Sequence, residues 1–340
     1  MAPTASLGKN GPHVVRMGLG LMGLSGMYGH SIPESERLAF LDHAYEIGQT
    51  FWDSADIYGD SEDLIGKWFK ANPNNRDKIF LATKFGHIIT PDGIFVDSSP
   101  EYVKEACAAS LKRLGIPAID LYYAHRVDGK TPIEKTVAAM VELQLEGKIK
   151  YIGLSEVSAA TLRRANKVHQ ITAVQVEYSP FALEIETMDL LNTCRDLGVA
   201  VVAYSPLGRG LFTGAIRSTD DFAEDDFRRS VPRFSKENFS NNLVLVDQLN
   251  AIAEQKRITP SQLVLAWLLA QGHDIFPIPG TSKISRLDEN VKALEVELTR
   301  EETQAIRQAC EAADITGDRY PEALMSALFA DTPQLKVEDF

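Results

Sequence analysis

Eight short apolar runs recur along the chain, each followed by a polar loop and then by a stretch with helical spacing. The runs are 14–20, 50–54, 79–84, 119–125, 149–155, 173–179, 199–205 and 274–280. They are continuously apolar and rich in β-branched and aromatic residues, as strands buried on both faces of a parallel sheet should be. Helical apolar spacing covers 33–48, 101–114, 132–146, 187–197, 241–256 and 260–270. Ser31 with Glu34 and Thr299 with Glu302 fit capping boxes, and Ser99-Pro100, Thr131-Pro132 and Thr259-Pro260 each set a cap residue before a first-turn proline. Residues 4–13 predict a hairpin turning at Asn10-Gly11. Eight β/α alternations predict a closed α/β barrel, the (β/α)8 or TIM fold, better than an open sheet. No linker or internal repeat divides the pattern, so one domain over 1–340 is expected.

One motif pulls the other way. Residues 18–23 read GLGLMG directly after an apolar run, the G-x-G-x-x-G of a dinucleotide-binding βαβ unit, and Asp53 follows downstream. That reading needs a helix opening at Gly23. Instead SGMYGHSIPE intervenes and the first helix-start signal is Ser31, so the motif is expected to be a barrel loop.

The composition is that of an ordinary globular chain, with 44% hydrophobic and 24% charged residues among 340. A net charge of −12 argues against nucleic acid or an anionic membrane as partner, and any phosphate-bearing ligand must find a local basic patch. Cys107, Cys194 and Cys310 lie far apart in helical stretches, without metal or redox spacing, and read as reduced structural thiols. The N-terminus lacks an apolar signal core and no run approaches the ~18 apolar residues of a membrane helix, so a cytoplasmic protein is expected.

In a barrel, chemistry gathers at the carboxyl ends of the strands. Those ends here supply Asp53 and Tyr58, Lys84, His125, Ser155-Glu156, Gln175, Tyr204-Ser205 and Gly280 to Lys283. Lys84 stands out, because an ammonium closing an apolar strand needs a counter-charge, and Asp53 on the adjacent strand is the obvious partner.

The stretches FWDSADIYGDSEDLIG, ATKFG and LYYAHRVD, followed by GLSEVS, VQVEYSPF, AYSPLGRGLFTG and PIPGTSKISRLDENVKAL, resemble the aldo-keto reductase superfamily over nearly the whole chain. The later motifs are most similar to the branch of pyridoxal reductases, perakine-reductase-like enzymes and potassium-channel β-subunit relatives. The resemblance implies a catalytic tetrad of Asp53, Tyr58, Lys84 and His125 and NADPH as cofactor, with an aldehyde or ketone reduced to an alcohol. Tyr58 is then the general acid, its pKa of ~10 lowered by Lys84, with Asp53 holding Lys84 and His125 orienting the carbonyl.

The same resemblance places Gly20 and Met22 near the nicotinamide and has Tyr204 stack on it, with Ser155, Glu156 and Gln175 at its carboxamide. Glu156 stands where many relatives have Asn, and an ionised Glu only accepts hydrogen bonds. Ser205, Leu207, Gly208, Arg209 and Gly210 match the pyrophosphate loop. Gly280, Ser282, Lys283, Arg286, Glu289 and Asn290 match the adenosine end, where Lys283 and Arg286, two cations beside a glycine turn and helix start in a chain of net charge −12, suit a 2′-phosphate better than a solvated helix face. No metal ligand set is expected. The long segment 211–240 after the seventh strand reads as a lid or binding loop. Its Arg228, Arg229 and Arg233 suit closure over the pyrophosphate as well as they suit solvent.

Tyr28, Phe85, Phe181 and the tail 314–340, with Tyr320, Leu324 and Phe329, suggest an apolar, partly aromatic pocket for a small carbonyl substrate. The assembly state is open. Two other readings remain: a redox-sensing β-subunit-like protein, and a barrel aldolase with Lys84 as Schiff-base nucleophile, which an adjacent Asp53 would oppose by keeping the lysine protonated.

Overall fold

A computed structural model of the protein describes residues 2–26, 31–91 and 93–336; Tyr28 and the last four residues of the tail lie outside them. In chain order come β1 (Thr4–Ser6), β2 (His13–Val15), β3 (Leu19–Gly20), α1 (Glu34–Glu46), β4 (Phe51–Asp53), α2 (Ser61–Ala71) and β5 (Phe80–Phe85). A hairpin of β6 (His87–Thr90) and β7 (Gly93–Val96) precedes α3 (Pro100–Leu114), β8 (Ile119–Ala124), α4 (Ile133–Leu145), β9 (Ile149–Ser155), α5 (Ala159–Val168) and β10 (Ala173–Glu177). Then follow α6 (Glu184–Thr187), α7 (Leu190–Leu197), β11 (Ala200–Tyr204), α8 (Lys236–Lys256), α9 (Pro260–Ala270), β12 (Ile275–Pro277), α10 (Ile284–Val291), α11 (Arg300–Ala312) and α12 (Glu322–Met325).

Eight strands form one parallel sheet in the order β12-β11-β10-β9-β8-β5-β4-β3. Its edges meet: Gly20 bridges Gly280, and the Gly18 and Gly20 N–H groups donate to the carbonyls of Pro277 (2.9 Å) and Pro279 (3.2 Å). The sheet is therefore the expected (β/α)8 barrel. This seam explains the opening glycines. A Cβ on Gly18 would sit 2.8 Å from the Ile278 side chain and one on Gly20 would sit 2.9 Å from the Ile278 carbonyl, so the first strand closes the barrel only without side chains there.

Strand alternation divides the core. Inward residues Phe51, Ala82, Leu121, Tyr123, Ala173, Ala200, Val202 and Phe276 pack with Leu7, Val14 and Val15 of the β1–β2 hairpin, which plugs the barrel floor. Outward residues pack against the helices. Cys107, Cys194 and Cys310 are buried free thiols on α3, α7 and α11, and burial pushes each up to about 12.

Several boundaries depart from expectation. Ser31 does not cap α1: its hydroxyl bonds the Ile32 carbonyl and the helix starts after Pro33, because the residue before a proline is driven out of the helical region. Thr131 likewise leaves the N-cap of α4 to Pro132 and turns its hydroxyl to Asp128. The caps at Ser99, Thr259 and Thr299 form as expected. The stretch 187–197 breaks at Asp189, which has φ 58°, and α8 starts at Lys236 rather than 241. α2, α5 and the β6–β7 hairpin have no counterpart among the expected elements.

Gly20→Ala is expected to lower stability by about 1–3 kcal/mol, since backbone rather than a flexible side chain blocks the new methyl. Urea denaturation would check this; an unchanged midpoint would show that the seam tolerates a side chain.

Candidate active site

The parallel sheet places the ends of β4, β5 and β8 side by side at one mouth. Asp53 closes β4, Lys84 lies one residue before the end of β5, and His125 follows β8. Tyr58 arrives on the turn between β4 and α2, its N–H donating to the Ala55 carbonyl. Lys84 Nζ lies 2.5 Å from Asp53 Oδ1, 2.6 Å from the Ser54 carbonyl and 3.4 Å from the Tyr58 hydroxyl. Those three oxygens match the three donors of an ammonium. The other Asp53 oxygen accepts from Gln175 Nε2 at 2.8 Å, across the lumen from β10. Ring centroids of Tyr58 and His125 are 5.8 Å apart, edge to face, and His87 stands against His125 at 4.5 Å.

Burial dominates the protonation of this group. It draws the Lys84 ammonium below its usual value and the Asp53 carboxyl above its own, each against the pull of the other. Burial, then Asp53, raises the Tyr58 phenol well above 10, whereas Lys84 was expected to lower it. Burial is the main reason, and Asp53, 2.5 Å from Lys84, sets a negative charge beside the phenol that works in the same direction. His125 is driven well below the usual imidazole range by burial, with His87 and Lys84 adding to the effect, and stays neutral.

At the end of β9, Ser155 Oγ accepts from Arg126 Nη1 at 3.2 Å. Glu156, fully buried in a left-handed conformation (φ 52°), collects five donors. They are the Glu177 N–H, the Tyr204 hydroxyl at 2.8 Å, both terminal nitrogens of Arg319 at 3.1 Å, and the Phe329 N–H. A carboxylate has about four lone-pair positions, so Glu156 is saturated. Its carbonyl also accepts from Ala330, holding the tail against this strand end.

Beyond β11, Ser205 (φ 48°), Gly208 (φ 56°), Arg209 (φ 53°) and Gly210 (φ 100°) turn the chain with positive φ. A Cβ on Gly208 would meet the Phe181 ring at 2.8 Å. Leu207 is buried beside it. Arg209 pairs with Glu177 at 3.3 Å and lies 4.3 Å from the Tyr320 ring centroid. In the segment 211–240, Arg228 pairs with Asp226 and donates to the Arg209 carbonyl, Arg229 bonds the carbonyls of Phe222 and Ala223, and Arg233 bonds that of Phe181. Each arginine therefore builds this segment against the turn.

After β12, α10 opens without a side-chain cap on Lys283, leaving first-turn N–H groups for a ligand. Lys283 is exposed and Arg286 half-buried, and among the described residues no carboxylate lies within ion-pair distance of either. Ser282 and Glu289 are half-buried and Asn290 is buried. Met22 is half-buried in the turn after Gly20, where the Leu21 N–H donates to the Asp53 carbonyl.

Two pocket residues are corrected. Phe85 follows the inward Lys84 and so faces the helices, stacked on Tyr122; Phe181 stacks on Phe212 beneath Gly208. Leu324 is largely exposed. Sequence reasoning missed Arg126, Glu177 and Arg319. Arg126 and Glu177 had a local signal, as charges at the ends of apolar strands, whereas Arg319 had none.

Residues 16–311 match the description "Aldo/keto reductase family". The chain belongs to this family. It is 56% identical to "Aldo-keto reductase str7" of Strobilurus tenacellus, with 94% of each chain covered. It is 50% identical to "Aldo-keto reductase yakc [NADP(+)]" of Schizosaccharomyces pombe, with 98% of each covered. Among solved structures it superposes on a glycerol dehydrogenase of Gluconobacter oxydans with TM-score 0.82 and 27% identity, covering 93% of this chain and 97% of that one. A thermostable aldo-keto reductase solved with the inhibitor epalrestat gives TM-score 0.72 and 29% identity, over 90% and 99%.

Asp56, beside this aldo-keto reductase site, has a buried Oδ1 without a hydrogen-bond partner among the described residues, and its carboxyl is pushed up to about 7 by burial and then by Glu62. Unfolded, it titrates near 3.9. Ionisation is thus penalised in the fold, and stability is lost as pH rises from about 4 to about 7. Asp56→Asn should match wild type below pH 4 and exceed it by on the order of 3 kcal/mol above pH 7. Denaturation at several pH values would check this, and a pH-independent difference would contradict it.

Proposed function

We propose that this aldo-keto reductase uses NADPH to reduce small aldehydes or ketones to alcohols. The observation that carries the reading is the Asp53–Lys84–Tyr58–His125 cluster, a neutralised ion pair under a protonated phenol and a neutral imidazole. A curated relative of 50% identity is named for NADP(+). The residues here fit that group: two cations without carboxylate partners flank the uncapped start of α10, in a chain of net charge −12. Motifs such as GLSEVS and SPLGRG favour the branch of pyridoxal reductases and potassium-channel β-subunit relatives. Buried reduced thiols fit a cytoplasmic location.

When bound, NADPH supplies the hydride. The protein's own residues do the rest. Tyr58 holds the proton for the carbonyl oxygen, and its high pKa keeps it in the acid form until charge develops there. As that proton leaves, the phenolate gains the Lys84 ammonium 3.4 Å away. Neutral His125 donates its N–H to the same oxygen and orients it. Lys84 as a Schiff-base nucleophile is disfavoured, because its three donors face three oxygens and no lone pair is presented. Ser205, Leu207, Gly208, Arg209 and Gly210 hold the pyrophosphate, with Gly20 and Met22 nearer the nicotinamide and Tyr204 against its ring. Lys283 and Arg286 hold the 2′-phosphate; Gly280, Ser282, Glu289 and Asn290 shape that end. Ser155 and Gln175 read the carboxamide, and the saturated Glu156 is left to the tail. Tyr204 and Tyr320, with hydroxyls 3.3 Å apart, favour an aromatic or apolar substrate.

Tyr58→Phe should lower kcat by 10²-fold or more while the NADPH dissociation constant stays unchanged, as steady-state rates and fluorescence titration would show. Retention of more than a tenth of kcat for an unactivated aldehyde would remove Tyr58 from the acid role. Lys283→Ala and Arg286→Ala should each weaken NADPH binding by roughly 10- to 150-fold and leave NADH nearly unaffected. Equal losses for both would place the 2′-phosphate elsewhere.

A further inference from the structure

Arg319 comes from the tail, outside every barrel strand, yet only 3% of it is exposed. Its guanidinium grips Glu156 with two parallel bonds of 3.1 Å, reaches Glu177 at 3.2 Å and lies 3.4 Å from the Tyr204 hydroxyl. Glu156 and Glu177 are themselves buried at the ends of β9 and β10. Burial works against ionisation of Glu156, but Arg319 and then Arg126 outweigh it and hold the carboxyl below its usual range. Two carboxylates thus stand beside Tyr204, and Arg319 is the guanidinium that bridges them. Two further cations belong to this cluster: Arg209 pairs with Glu177 at 3.3 Å, and Arg126 donates to Ser155 Oγ and the His125 carbonyl.

The nicotinamide ring is neutral in NADPH and cationic in NADP+. A charge fixed in a dry wall beside that ring therefore discriminates between the two redox states, while the rest of the cofactor is read identically in both. We propose that Arg319 is a specificity-determining residue that biases the site toward the reduced cofactor by offsetting the carboxylates of Glu156 and Glu177 beside Tyr204. This rests on the reading of Tyr204 as the nicotinamide platform. It also gives Glu156 a function, as the negative half of the setting and the anchor that brings the tail to the mouth.

The signs are opposite for the two partners, which separates charge from scaffolding. Removing the positive charge in Arg319→Met leaves Glu156 without its paired guanidinium and should tighten NADP+ relative to NADPH. Removing a negative charge in Glu156→Gln should do the reverse. Arg319→Lys keeps the charge but not the two-pronged grip, and should retain most of the wild-type ratio. At an effective dielectric near 20, loss of one such charge should move the ratio of the two dissociation constants about tenfold in each direction.

The experiment is equilibrium titration of NADPH and NADP+ by fluorescence or calorimetry against wild type and the three variants, with circular dichroism to confirm folding. Opposite shifts in Arg319→Met and Glu156→Gln, with the ratio kept in Arg319→Lys, support the inference. Parallel loss of both cofactor forms, or a ratio unmoved in Glu156→Gln and Arg319→Lys while Arg319→Met unfolds, overturns it. Failure of wild type to bind either form overturns the cofactor reading, and this inference with it.

Discussion

A charged pair with almost no access to water sits at one mouth of this barrel, Lys84 against Asp53. Burying a carboxylate and an ammonium costs several kcal/mol for each ion, and mutual attraction offsets that only with good geometry and satisfied remaining donors. Both conditions hold. Lys84 meets three oxygens from β4 and the loop behind it, and Asp53 is held on its other side by Gln175 from β10. β4 and β10 are not neighbours in the sheet, so the Asp53–Gln175 bond spans the lumen and ties opposite walls together. Loss of either ion would leave the other uncompensated.

Outside this centre, the mouth concentrates backbone that elsewhere would be unfavourable. Glu156, Ser205, Arg209 and Phe329 all have positive φ without being glycine. Such conformations persist where the surroundings over-determine them. Here the determinants are visible: Glu156 is held by five donors, and Arg209 by Glu177 and the Tyr320 ring. The tail and the segment after β11 are therefore parts of the wall. Arg228 and Arg233 spend their donors on carbonyls of Arg209 and Phe181, which joins loops from two strands into one surface.

The opening GLGLMG shows how one local pattern serves two physical ends. Glycines allow close backbone approach, and a pyrophosphate is only one thing that approaches closely. Here the approaching group is the β12 end of the same sheet, where Gly20 bridges Gly280. In place of the α-helix that a dinucleotide fingerprint requires at Gly23 there is a single 3-10 turn over Met22–Ser25, and α1 opens only after Pro33.

The sequence by itself determined the eight barrel strands, most of the helices and the four residues of the central cluster, but not the β6–β7 hairpin. Buried parallel strands leave continuous apolar runs, and a polar residue ending such a run is visible in one dimension. Strand period also decides that Phe85 faces away from Lys84. Tertiary structure alone decided which distant charges meet. Nothing near Arg319 in the chain points to Glu156 or Glu177, because ion pairing depends on where the tail folds back rather than on spacing. It likewise decided that burial and the Asp53 charge raise the Tyr58 phenol, since desolvation and Coulomb energies turn on depth and ångström separations that no sequence pattern encodes.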